Sequence, residues 1–167
     1  MPFEQDLFKE YKRIMETTNV QKCYQQIIKL IKYISSELEK EMPEYTFMGR
    51  VVENQMDVSY FQATRKSLKE SGLKVQIVFV HKTCEFEVWI SGYNRKIQCS
   101  YHKKLCNSEC PFEVCPDPER NDFIIKAVTE KKITTDSPEE IIAEIKRKIV
   151  KLEAYIQKYQ TCETAEI

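Results

Sequence analysis

Apolar residues run along this chain in two rhythms, and each change of rhythm marks a change of element. Phe3, Leu7, Phe8, Tyr11 and Ile14 recur at helical spacing, which predicts an amphipathic helix from residue 2 to about 15, interrupted at Thr17-Thr18-Asn19. A second helix follows, with Val20, Tyr24, Ile27, Ile31, Ile34 and Leu38 in steps of four and three. Cys23, Ile28 and Leu30 widen its stripe until Met42-Pro43 ends it, so helical structure is expected over about 2–41. Near the other terminus, Ser137-Pro138-Glu139-Glu140 has the form of a capping box with proline at the first helical position. Ile141, Ile145, Ile149, Leu152, Ile156 and Tyr159 follow on one face of a final helix over about 137–160.

Between these helices the period falls to two. Residues 45–52 and 56–61 read as strands, residues 64–71 as a short helix closed by Gly72, and residues 73–98 as a hairpin with a polar exit. Leu73, Val75, Ile77 and Phe79 share one face of the first hairpin strand. Cys84, Phe86, Val88 and Ile90 share one face of the second, and the turn falls at His81-Lys82-Thr83. The opposite face carries Lys74, Gln76, Glu85, Glu87 and Trp89. Asn94 is placed to cap a helix through Ile97, Tyr101 and Leu105. Residues 106–121 hold three prolines and no period, a Cys/Pro loop, and residues 122–130 resume as a fifth strand. Neighbouring strands joined by short turns favour antiparallel pairing. The expectation is an α+β fold: about five mostly antiparallel strands in one sheet region over 45–130, packed by long N-terminal and C-terminal helices, as a single domain over 1–167.

Composition narrows the function classes. Lys plus Arg and Asp plus Glu each number 26, so no global charge recruits nucleic acid, which is not expected as a partner. No apolar run reaches membrane-spanning length and the start lacks a signal-peptide pattern, which predicts a cytoplasmic chain with no membrane partner. Seven cysteines without a secretory signal are expected to be reduced thiols.

Candidate chemistry sits in three places. Cys99, His102, Cys106, Cys110 and Cys115 supply soft ligands within a short stretch, enough for a zinc site in principle. The spacing C-x6-C-x3-C-x4-C lacks the paired ligands of structural zinc sites, and the expectation is no metal and no cofactor, zinc being the alternative. The pair Glu85 and Glu87 falls on one strand face. The element order helix, three strands, helix, strand resembles the core of the PD-(D/E)xK nuclease superfamily, and that resemblance would make Asp57, Glu85 and Glu87 the holders of a catalytic divalent metal. The chain departs from the pattern at Glu87, where the family has lysine, at Gln76, where it has an acid, and at Asp57, which comes one strand early. The plainer reading pairs Glu85 and Glu87 with lysines across the sheet. The third place is the hairpin exit, where Trp89, Tyr93, Asn94, Arg95, Lys96 and Gln98 gather an aromatic platform, amides and two cations at a helix start, suited to an anionic or ring-bearing ligand.

The segments FEVWISGYNRKIQ (86–98) and EMPEYTFMGRVVEN (41–54) resemble a family of small bacterial single-domain proteins of unknown function. The resemblance implies a stand-alone bacterial cytosolic protein and no assigned activity. If its signature is W-x-S-G-x-N-R-x-I-Q, the matching positions are Trp89, Ser91, Gly92, Asn94, Arg95, Ile97 and Gln98. The reading drawn from the sequence is a non-catalytic binding module for a small ligand or protein partner, with the nuclease and a homodimeric assembly element as alternatives. Its site requires the helices to cover the Leu73-Val75-Ile77-Phe79 face and leave the acidic face free.

Overall fold

The computed structural model describes residues 3–160. Pro2, where the first helix was expected to begin, lies outside them. The elements are α1 (Gln5–Thr17), α2 (Val20–Glu41), β1 (Thr46–Asn54), β2 (Val58–Thr64), α3 (Lys66–Glu70), β3 (Leu73–Val80), β4 (Glu85–Gly92), α4 (Arg95–Leu105), β5 (Glu113–Val114), β6 (Ile125–Val128) and α5 (Pro138–Gln157). The strands form one antiparallel sheet in the order β1-β2-β3-β4-β6-β5. The sixth strand is the two-residue β5, lodged in the proline-rich loop and too short to leave a periodic signal. β6 is shorter than the run 122–130 expected, although Ile124 N–H donates to Ile90 O (2.7 Å) and Thr129 N–H to Phe86 O (2.8 Å), extending the attachment to β4 at both ends.

Register decides which face is covered. Phe61, Ile77, Val88 and Ala127 lie in one row across four strands, and Phe79 pairs with Phe86. With Val75, Leu73 and Ile90 they meet Ile31, Ile34 and Leu38 of α2 and Ile141, Ile145, Ile149, Leu152 and Ile156 of α5 in one buried core. The long helices therefore lie on the apolar face, as the free-face condition required. Their stripes are spent inside the chain. The capping box at Ser137 forms as read, with Glu140 N–H donating to Ser137 Oγ and the Glu140 carboxylate accepting from Ser137 N–H.

Two buried carboxylates fasten α5. Glu153 accepts from Tyr45 Oη, from Ser67 Oγ (3.1 Å) and from Gln157 Nε2 (3.1 Å), and pairs with Arg65 Nε at 2.6 Å. It thus ties the helix to the start of the sheet and to α3. Glu144 accepts from the backbone N–H of Glu130 and Lys131, both at 2.8 Å, and pairs with Lys148. Burial pushes the Glu144 carboxyl up, but those N–H donors and Lys148 outweigh it and hold the group below its ordinary value.

Both hairpin turns depart from the sequence reading. Gln55 and Met56 adopt φ of 51° and 60°, a left-handed pair that makes the β1–β2 turn without glycine or asparagine at its centre. Cys84, expected in the strand, has φ 56° and closes the β3–β4 turn instead, with β4 starting one residue later.

Candidate functional site

The uncovered sheet face is concave. Its rows read Met48, Gln62, Gln76, Trp89, Lys126, Glu113 and, one step along, Val52, Tyr60, Val78, Glu87, Val128. The 117–123 loop and the start of α4 rise at one side and close a basin of about 610 Å³, with Tyr60, Gln62, Lys74, Gln76, Trp89 and Phe123 among its lining.

A chain of hydrogen bonds crosses its floor. Gln62 Nε2 donates to Gln76 Oε1 (2.9 Å), Gln76 Nε2 donates to Ser91 Oγ (2.7 Å) and to Asp122 O (3.2 Å), and Ser91 Oγ donates to Asp122 O (2.6 Å). Gln76 and Ser91 are buried, and buried polar groups need such mutual satisfaction to stand inside a fold. The chain leaves Gln76 saturated and Gln62 Oε1 unengaged among the described residues.

Beside it Glu87 is fully committed. It accepts from Trp89 Nε1 (2.6 Å) and from Lys126 Nζ (3.1 and 3.2 Å), while Lys126 also reaches Glu113 at 3.5 Å. Trp89 leans on Phe123 with ring centroids 5.3 Å apart. Its N–H is used, and the ring is part of the basin lining. Glu85 pairs with Lys132 at 3.2 Å. Asp57 sits in the β1–β2 turn at the far rim of the basin. Among the described residues no three His, Cys, Asp or Glu side chains gather in a metal-holding group, so Asp57, Glu85 and Glu87 are not brought together as a ligand set.

The same holds for the cysteine cluster. His102 Nε2 lies 2.7 Å from Cys115 O, and Cys106 Sγ lies 3.3 Å from the imidazole. Cys115 is buried, its thiol pushed up by that burial, and Cys110 packs at the edge of the core, while Cys99 makes no part of that group.

At the hairpin exit the structure gives several of the residues scaffolding bonds. Asn94 caps α4, its side chain accepting from Ile97 N–H at 2.9 Å. Arg95 donates to Pro118 O (2.8 Å) and Asn121 O and pairs with Asp122 (3.0 Å). Gln98 accepts from Gly92 N–H (2.9 Å) and donates to Asn121 O (3.0 Å). Together they staple the 117–122 loop that walls the basin. Trp89, Tyr93, Asn94, Arg95 and Gln98 all line it, whereas Lys96 is exposed and does not. Gly92 is required here, because a Cβ would lie 2.7 Å from Gln98 N and 3.1 Å from Asn94 O.

Lys74 is different in kind. It is half-buried beneath the Tyr93 ring, 6.0 Å from its centroid, and makes no ion pair or hydrogen bond among the described residues. Burial pushes its ammonium down from the ordinary lysine range, only partly offset by the Asp122 charge, which Arg95 already holds.

The sequence reading placed Lys74, Gln76, Glu87 and Trp89 on this face but missed Tyr60, Gln62, Asp122 and Phe123. Gln62 is one of several polar residues in β2, and only the β2–β3 register sets it opposite Gln76.

A second polar group lies on the helix-covered face. Ser59 Oγ and His81 Nε2 are 2.8 Å apart, Tyr24 stacks on the imidazole at 5.3 Å, and Tyr24 Oη donates to Glu53 (2.7 Å). Burial holds the His81 imidazole below its ordinary value, against the pull of Asp57 and Glu53. Ser59 has no exposed surface, so the pair fastens α2 to the β2–β3 end of the sheet.

No helix among the described residues is long and apolar enough to cross a membrane. No curated protein and no solved structure matches the chain. A family profile does match over residues 3–160, nearly its full length, and the chain belongs to that family, the domain of unknown function DUF7000.

Proposed function

We propose that this protein is a non-catalytic, single-domain binding module that takes a small molecule on the open face of its sheet. One observation carries the reading: an uncovered, concave face whose floor is an internally satisfied amide-hydroxyl chain and whose walls present aromatic rings. The satisfied floor is fixed in place, and the rings of Tyr60, Trp89, Tyr93 and Phe123 around it offer a ligand apolar contact. Sites of this kind bind by shape and a few placed polar groups. Glu85 and Glu87, the residues a nuclease would use, are occupied by Lys132, Lys126 and Trp89, which favours binding over metal-assisted hydrolysis. Free cysteines at six described positions suit a reducing compartment such as the bacterial cytosol.

Trp89 is the one tryptophan of the chain and lines the basin, so its emission reports this face alone. Titration of the protein with a set of small planar acids, amines and alcohols is expected to shift Trp89 emission saturably for some of them. Binding seen by calorimetry with Trp89 unchanged would place the site elsewhere and overturn the proposal.

A second reading, assembly through α1, also has its own observation. Phe3, Leu7, Phe8 and Tyr11 are 56–65% exposed, and α1 buries no residue, although a 13-residue helix is marginal in water without a partner. An antiparallel second copy laid on this stripe would cover the same four side chains on both chains. Sedimentation should then give twice the chain mass, reduced to the chain mass by Leu7→Glu with Phe8→Glu. A wild-type mass equal to one chain would end this reading.

A further inference from the structure

We infer that the ligand of this basin is a planar molecule bearing an oxyanion, a phosphate or a carboxylate, which Lys74 holds while the ring lies against Trp89 or Tyr93. The inference rests on the binding reading above and specifies its chemistry.

Charge accounting within the basin isolates one group. Glu87 is balanced by Lys126 and Asp122 by Arg95, at 3.1 and 3.0 Å, and Arg120 pairs with Asp117 at 3.5 Å. Lys74 has no such partner, yet it emerges from β3 between two buried residues, Leu73 and Val75, and its own side chain is half-buried. A half-buried cation without a carboxylate gives up hydration and recovers only part of it from the Tyr93 ring and the Asp122 charge, an arrangement that an incoming anion completes. Its lowered proton affinity agrees with that loss of hydration.

Position selects the rest of the ligand. Lys74 lies under Tyr93, and its strand neighbour Gln76 stands directly opposite Trp89. Trp89 Nε1 is already donated to Glu87, so the indole offers its face rather than a hydrogen bond, which suits stacking of a planar group. At the far rim Asp57 is the basin acid without an ion pair among the described residues, and Lys74 and Val80, which pairs with the first residue of β2 beside Asp57, stand six residues apart on β3. That is roughly 20 Å of strand. An anionic group is therefore drawn to the Lys74 end and repelled from the Asp57 end, which fixes the direction in which the ligand lies.

The test is calorimetric titration of the full chain with phenyl phosphate, benzoate, inorganic phosphate and benzyl alcohol, with Trp89 emission recorded in parallel. Phenyl phosphate or benzoate is expected to bind at least tenfold more tightly than benzyl alcohol and to shift Trp89. Whichever of the two binds more tightly identifies the oxyanion. Inorganic phosphate is expected to bind more weakly than phenyl phosphate. Lys74→Gln should weaken the aromatic anion at least fivefold, Lys74→Arg should restore part of the loss, and Lys69→Gln, on the remote α3, should leave it unchanged. Benzyl alcohol binding as tightly as the anions, or an unchanged affinity in Lys74→Gln, overturns the anion inference while Trp89 shifts keep the basin. No Trp89 response to any of the four overturns both.

Discussion

Replacing Glu153 with leucine should destabilise the fold more than almost any other single polar substitution. Glu153 is 3% exposed and its carboxylate has four partners: Tyr45, the pair Arg65 and Ser67 at the start of α3, and Gln157 one turn along its own helix. Removing one member of a buried pair costs about 3–5 kcal/mol, because its partner is left charged and unpaired. Arg65 keeps 35% of its side chain exposed, stacks over Tyr45 and can turn toward water, which puts its share at the low end. Tyr45 is 5% exposed and cannot, so its hydroxyl loses its acceptor at a further cost of about 1 kcal/mol. Burial of the leucine side chain returns about 1 kcal/mol. The net expectation is a loss of about 3 kcal/mol, read as a lower urea midpoint at unchanged slope and a fall of about 6–12 °C in Tm for a chain of this size. Adding Arg65→Met and Tyr45→Phe to Glu153→Leu should recover most of it, since apolar replacement of a whole buried cluster is often neutral. A Glu153→Leu variant within about 1 kcal/mol of wild type would refute the view that this cluster holds α5 to the sheet.

Three other outcomes follow from local geometry. Gln55→Asn combined with Met56→Gly should raise stability by about 1 kcal/mol in thermal unfolding, because both positions hold left-handed backbone that those residues adopt with less strain. Gly92→Ala should cost about 2 kcal/mol and loosen the 117–122 loop, seen as faster amide exchange at Asn121, since the added carbon meets backbone that cannot swing aside. The His81 pKa is lowered by burial from the ordinary 6.5, so on acidification the unfolded chain binds its proton first. Stability should therefore be complete above that value and fall as pH drops through it toward the lower folded pKa. Urea midpoints between pH 5 and pH 8 should show this slope, and His81→Gln should flatten it.

The long elements were legible because each carries many turns or pleats of one period: α2, α5 and the β3–β4 pair stand close to where their stripes placed them. What period cannot encode was not legible. β5 has two residues and owes its existence to Lys126 and Ile125 on a strand that follows it. Cys84 reads as a strand residue by polarity, and only the closure of the turn forces it left-handed. At the site, the sequence drew attention to the hairpin exit through its clustering of polar residues, yet Asn94, Arg95 and Gln98 spend much of their bonding capacity on a cap and a loop. The floor of the basin came from residues far apart in the chain, Gln62, Gln76, Ser91 and Asp122, whose meeting depends on register.

Backbone amide chemical-shift mapping with a library of small planar fragments tests the binding face most directly. The account predicts that the shifted amides cluster on β2, β3 and β4 and on the 120–126 segment, with the Trp89 indole N–H among the largest changes. Shifts gathered on α1 or α5, with the open sheet face silent, would contradict it.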